Sequence, residues 1–171
     1  TWQGAIDIRN GGREGSVAPK SLSDVLAMKK ALEQADITFV PVVVPRSRED
    51  AKFHADIAQY AVRILVDMEV DMSGDYFPAS DFPGVTEYAR MLRVMAPDAF
   101  IGWEPDGRVA DAARESEGRY LIDSVVPYVD MFSPQVYSGW PAYGIGERSI
   151  AADHARIISF SETGKPVQPT L

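Results

Sequence analysis

The stretch Ile64-Leu65-Val66-Asp67-Met68-Glu69-Val70-Asp71 decides how the rest of the chain is read. On an extended strand, successive side chains point to opposite faces. Ile64, Val66, Met68 and Val70 therefore share one apolar face, while Leu65, Asp67, Glu69 and Asp71 share the other. A strand with this division suits a sheet covered by helices on its apolar side, with the acidic side facing an interior and climbing to its mouth. Carboxylates are costly to bury without partners. Side chains two apart on a strand lie roughly 6–7 Å apart at Cβ, and at that spacing one ionised acid raises the pKa of the next. One acid can then keep its proton while its neighbour stays charged, the requirement for acid-assisted cleavage of a glycosidic bond. The alternative is a structural acid cluster held by Arg9 or Arg46 at neighbouring strand ends.

Outward from this stretch, short β-branched runs alternate with helical patterns, and the unit recurs every 25 to 36 residues, the length expected of βα units. Six strands are expected, at Ala5–Asn10, Thr38–Pro45, Arg63–Asp71, Ala99–Glu104, Met131–Tyr137 and Val167–Leu171. Strict alternation of this kind argues for a parallel sheet with helical crossovers. The helix starts carry their own signals: Ser21 with Asp24, and Ser47 with Asp50, each place a hydroxyl cap three residues before an acid, close to a capping box. Val85, Tyr88, Ala89, Leu92 and Met95 recur at helical spacing, as do Leu121, Ile122, Val125 and Val126, and then Ile150, His154, Ile157 and Ile158. Each set is an apolar stripe made to lie on a sheet. His54 and His154 fall within helical patterns, where packing is the expected role.

The expected fold is thus α/β, a TIM-type (β/α) barrel of parallel strands, with about six βα units visible. The whole chain, 1–171, reads as one domain, since no Pro-rich, Ser-rich or single-charge linker divides it. A closed eightfold barrel usually needs about 200 residues or more, so the chain is expected to be part of a longer parent.

The 17 Lys and Arg stand against 25 Asp and Glu, for a formal charge of -8. That charge repels phosphate backbones and anionic lipid, so neither nucleic acid nor membrane is expected as a partner. With zero cysteines, thiolate zinc sites and cysteine nucleophiles are excluded.

Other strand ends supply groups that suit a sugar site. Asp7 and Arg9 share a face of the first strand, Glu104 ends the fourth after Trp103, and Gln135 and Tyr137 end the fifth before Trp140. Aromatic rings stack on sugar faces, while Gln, Tyr and Asp hydrogen-bond hydroxyls. The loops 73–78 and 138–144 are aromatic, rich in Gly and Pro, and both follow strands, where barrel enzymes keep their chemistry.

The run Ile64–Glu69, with its Asp67-Met68-Glu69 pair, resembles the strand that carries an Asp-x-Glu pair in the lysozyme-type glycoside hydrolases of family 25 and their wider barrel relatives. Phe132-Ser133-Pro134-Gln135-Val136-Tyr137 and Ala96-Pro97-Asp98-Ala99 are similar to segments common in those relatives. The resemblance implies cleavage of peptidoglycan with retention, Glu69 as general acid and Asp67 as stabiliser of the cationic state. The family's additional aspartate lies on its first barrel strand, a strand that has no counterpart here, and Asp7 is a substitute candidate.

Three functions are therefore open. The first is a glycoside hydrolase acting on bacterial cell wall or a related polysaccharide, with Glu69 and Asp67 catalytic and Asp7, Arg9, Asp71, Glu104, Gln135, Tyr137 and Trp140 binding substrate. The second is a non-catalytic carbohydrate-binding or scaffold barrel of a phage tail or cell-surface protein. The third, ranked lowest, is a hydrolase using Asp7, Asp67, Glu69 and Asp71 for a hard cation such as Mg²⁺. The leading reading needs no cofactor and no metal. It favours an extracellular or virion-associated setting, with the chain as part of a larger assembly.

Overall fold

In a computed structural model of the chain, the described residues are 3–9, 21–68, 70–71, 77–78, 82–105, 122–134 and 161–168, of which 3–9, 70–71, 77–78 and 82 are described by backbone alone. The elements alternate as the periodicity predicts. Strand β1 (Gln3–Arg9) precedes helix α1 (Leu22–Gln34), then β2 (Thr38–Val44), α2 (Asp50–Ala61) and β3 (Arg63–Met68) follow. Two short strands, β4 (Val70–Asp71) and β5 (Phe77–Pro78), lead to α3 (Phe82–Met95), β6 (Phe100–Pro105), a 3-10 turn at Val126–Tyr128 and β7 (Met131–Phe132).

Among the described residues, the main sheet has five parallel strands in the order β1-β2-β3-β6-β7. Chain order and spatial order therefore agree throughout. Because parallel crossovers are right-handed, such an order keeps every helix on one face. The core reports that packing: Phe39, Val43, Ile64, Val66, Met68, Ile101, Trp103 and Phe132 from the strands are buried in one cluster with Val25, Ala51, Ala55, Ile57, Ala58, Val85, Tyr88, Ala89 and Leu92 from α1, α2 and α3. The apolar stripe of α3 lies where expected, as do Ile122 and Val125. The stripe containing His154 lies outside the described residues.

Three differences from the sequence-based expectation have physical causes. The strand expected over Arg63–Asp71 ends at Met68, and Val70–Asp71 pairs instead with Phe77–Pro78 in a separate two-stranded sheet. Side-chain alternation runs on past Met68, but the hydrogen-bonded ladder does not. The strand expected at Val167–Leu171 reduces, among the described residues, to one parallel bridge between Val167 and Phe132. Its bonds, Phe132 N–H to Pro166 O at 3.0 Å and Gln168 N–H to Phe132 O at 2.9 Å, still continue the sheet in chain order. The start of α2 has no side-chain cap: its N-cap is Glu49, and Asp50 Oδ2 instead braces the turn before the helix, accepting from the backbone N–H of Arg46 at 2.8 Å and Ser47 at 3.1 Å. At α1, Ser21 Oγ accepts from Asp24 N–H at 3.3 Å, as a hydroxyl cap should.

Val62, which links α2 to β3, adopts φ 65, a left-handed conformation that strains a β-branched residue. Its side chain is 62% exposed, so little burial offsets the strain. Val62→Gly should therefore stabilise the protein by about 1 kcal/mol, raising the melting temperature by about 2–4 °C. A lower melting temperature would show that the side chain contributes more than its conformation costs.

His54 of α2 is fully buried, and its Nδ1 lies 2.7 Å from the Tyr88 hydroxyl of α3. The expected packing role holds. Tyr88 in turn lies 6.2 Å, centroid to centroid, from Trp103, which faces the helices. Burial lowers the His54 pKa from 6.5 to about 4, opposed by the nearby Asp50 charge, and burial raises the Tyr88 hydroxyl well above its ordinary value. The unfolded chain therefore takes up the His54 proton before the folded one does. This contribution to stability is whole above pH 6.5, is lost as pH falls toward about 4, and levels off below. The loss amounts to something on the order of 3 kcal/mol. Urea denaturation at pH 7 and pH 4.5 should show a smaller difference for His54→Gln than for the unmodified protein; equal differences would refute the assignment.

Candidate functional site

The sheet face opposite the helices carries the polar residues, and strand register sets them in rows. Leu65 of β3 pairs with Gly102 of β6, and Gly102 pairs with Met131 of β7. Val42 of β2 pairs with Leu65, and Asp7 of β1 pairs with Val42. This lower row is largely apolar. A Cβ added at Gly102 would come within 2.4 Å of Leu65 Cδ2 and 3.3 Å of Met131 Cε. The glycine thus lets its two neighbours close over β6.

Two residues further along each strand, toward the carboxyl ends, stands the next row. Asp67 pairs with Glu104, and continuing each register by one residue brings Val44 alongside Asp67 and Ser133 alongside Glu104. Arg9 pairs with Val44. The row reads Arg9, Val44, Asp67, Glu104, Ser133. Asp67 is half-buried, whereas Glu104 is 7% exposed and Ser133 5%. The Ser133 N–H donates to Trp103 O at 2.7 Å, which holds β7 against β6 at this level. Neighbouring strands are about 4.8 Å apart, so the Asp67 and Glu104 backbones stand one strand spacing from each other.

The sequence-based site residues divide accordingly. Asp67 and Glu104 are brought side by side, on the face that alternation assigned to Asp67. Asp7 and Arg9 have register positions in β1, but their side chains are outside the described structure. Asp71 sits in β4 against Pro78 of β5, so strand alternation does not set its position relative to Asp67. Glu69, Gln135, Tyr137 and Trp140 lie outside the described residues. The nearness of Glu104 to Asp67 was not readable from the sequence, because the offset between strands 37 positions apart in the chain has no local signal.

A crevice of about 310 Å³ opens at the other end of the sheet, between the carboxyl ends of α1 and α2. It is lined by Lys29, Glu33, Asp36, Thr38, Tyr60 and Val62, among others. Thr38 opens β2 and Val62 precedes β3, so the crevice lies at the amino ends of the strands, remote from Asp67 and Glu104. In parallel α/β folds, chemistry gathers at the carboxyl ends, and the carboxylate row is the better candidate.

No family model and no curated protein matches the chain. Among solved structures, the chain is similar to a GH18 chitinase from Pseudoalteromonas aurantia, with a TM-score of 0.52 and 14% sequence identity, over 90% of this chain and 64% of that one. The likeness is one of fold. The chain spans less than two thirds of the chitinase it matches, and the family named in that likeness differs from the family 25 enzymes that its motifs resemble.

Proposed function

We propose that the chain is the carboxylate-bearing part of a glycoside hydrolase, built on a parallel-stranded barrel and acting on cell-wall or related polysaccharide. The observation that carries the reading is the Asp67–Glu104 register pair near the carboxyl ends of β3 and β6, on the face away from the helices. The chitinase likeness supports the choice of a sugar-cleaving reaction. The strand order supports the barrel, because helices on one face leave the polar face to be enclosed by the sheet itself. In this reading Glu69 gives its proton to the glycosidic oxygen and Asp67 stabilises the cation that develops on the sugar ring. Asp7, Arg9, Asp71, Glu104, Gln135, Tyr137 and Trp140 hold the polysaccharide.

The test is release of reducing sugar from purified cell wall by the full-length parent protein, run beside a pull-down on the same insoluble material. Release together with binding supports the hydrolase. Binding without release replaces it with the scaffold reading.

A further inference from the structure

We infer that Glu104 is a positioning residue for Asp67: in the working enzyme it stays protonated and donates a hydrogen bond to the Asp67 carboxylate, so that the two acids hold one proton between them. The inference rests on the hydrolase reading and deepens it. Two features of the structure carry it, and the first is register. Asp67 and Glu104 are direct cross-strand partners in a parallel pair, where like charges set side by side destabilise the sheet. The second is burial. Glu104 is 7% exposed, and the row beneath it is closed by Leu65 and Met131 leaning over Gly102. Water is kept from that side, which disfavours two charges at once.

The groups that could disturb such a pair are set by neighbouring elements. On β2 the flanking residue is Val44, with exposed Arg46 beyond the strand end. On β1 the register position is Arg9, one strand further away. On β7 it is the hydroxyl of Ser133. Along the chain from Asp67 come Glu69 and Asp71. The chemistry needs nothing beyond the protein: the proton rests on Glu104 while Asp67 carries the charge that faces the developing cation. Such a pair titrates in two macroscopic steps that belong to both groups. Asp67 is then held in one orientation by the hydrogen bond from Glu104.

Carboxylate ¹³C NMR titration tests the pair without needing turnover. The Asp67 signal should titrate in more than one step in the unmodified protein and should lose the step it shares with Glu104 in Glu104→Gln. A curve that is the same in both proteins overturns the inference. Turnover supplies a second reading, because the Gln amide still donates a hydrogen bond. Among variants of matched melting temperature, Glu104→Leu should lose at least about tenfold more turnover than Glu104→Gln. Equal losses in the two would also overturn it. If the unmodified parent releases no sugar, the hydrolase reading falls, and the titration still decides whether the proton is shared.

Discussion

Replacing Glu69 by Gln should reduce sugar release from purified cell wall by about 10²- to 10⁴-fold, the loss typical when a positioned proton donor is removed. The amide keeps the shape of the side chain and loses only the acid, so the protein should still sediment with the insoluble wall. Asp67→Asn should also reduce turnover, by a different route, since in the proposed mechanism it removes the charge that stabilises the oxocarbenium-like state. Trp140→Ala and Tyr137→Ala should instead weaken sedimentation with the wall, because stacking on a sugar face does not depend on turnover. Separating the carboxylates from the aromatics in this way distinguishes an enzyme from a binder. Sugar release undiminished in both carboxylate variants would sink the mechanism.

A comparably large effect, on stability and not on catalysis, is expected at Arg93. In the last turn of α3, its guanidinium donates to Tyr128 O at 3.0 Å, Pro97 O at 3.1 Å and Ala99 O at 2.8 Å, and pairs with Asp130 Oδ2 at 2.6 Å. The same Asp130 oxygen accepts the Ile101 N–H at 2.8 Å, while the Asp130 N–H donates to Ile101 O at 2.8 Å. One side chain thus ties the end of α3 to the starts of β6 and β7. Arg93→Ala leaves several part-buried acceptors without their donor, for which about 2–4 kcal/mol is expected. At about 2–4 °C per kcal/mol for a chain of this size, the melting temperature should drop by roughly 4–16 °C. Arg93→Lys should recover little, because an ammonium cannot span the same fork of acceptors. A drop of less than a degree in Arg93→Ala would show that water replaces these bonds without loss. The network sits at the amino ends of the strands, so the effect should appear in unfolding and not as a change in sugar specificity.

The periodic features of the fold were legible because each is written locally. Ile64, Val66 and Met68 alternate with Leu65 and Asp67, and they are buried as that alternation requires. Val85, Tyr88, Ala89 and Leu92 announce their helix and the face it buries. Features that depend on two distant segments were not legible. Nothing near Met68 signals that the ladder stops there, because the side-chain pattern continues to Asp71. A Ser-x-x-Asp sequence does not say whether either of its two side chains will cap the helix. At α1 the Ser21 hydroxyl does so, whereas at α2 the N-cap falls to Glu49 and neither Ser47 nor Asp50 caps the helix. Arg93 is marked by sequence only as a cation in a last helical turn, and its partners at Tyr128 and Asp130 follow from how the sheet is assembled. The candidate site shows the same split. Asp67 was placed by the alternation of its own strand, whereas Glu104 became its neighbour only through the register of β3 against β6.

The missing side chain at Gly102 has a consequence for how such a site could diverge. With no Cβ on β6 at that level, Leu65 lies lower than it could over any other residue, since an added Cβ would meet its Cδ2 at 2.4 Å. Because Leu65 Cδ2 is the free end of a flexible side chain, an alanine there would be accommodated by rotation, and the displaced methyl groups have the carboxylate row above them. Gly102 therefore acts as a depth gauge. This one position sets how low Leu65 and Met131 lie beneath the carboxylate row. A single methyl there would raise the floor beneath Asp67 and Glu104, with both acids left in place.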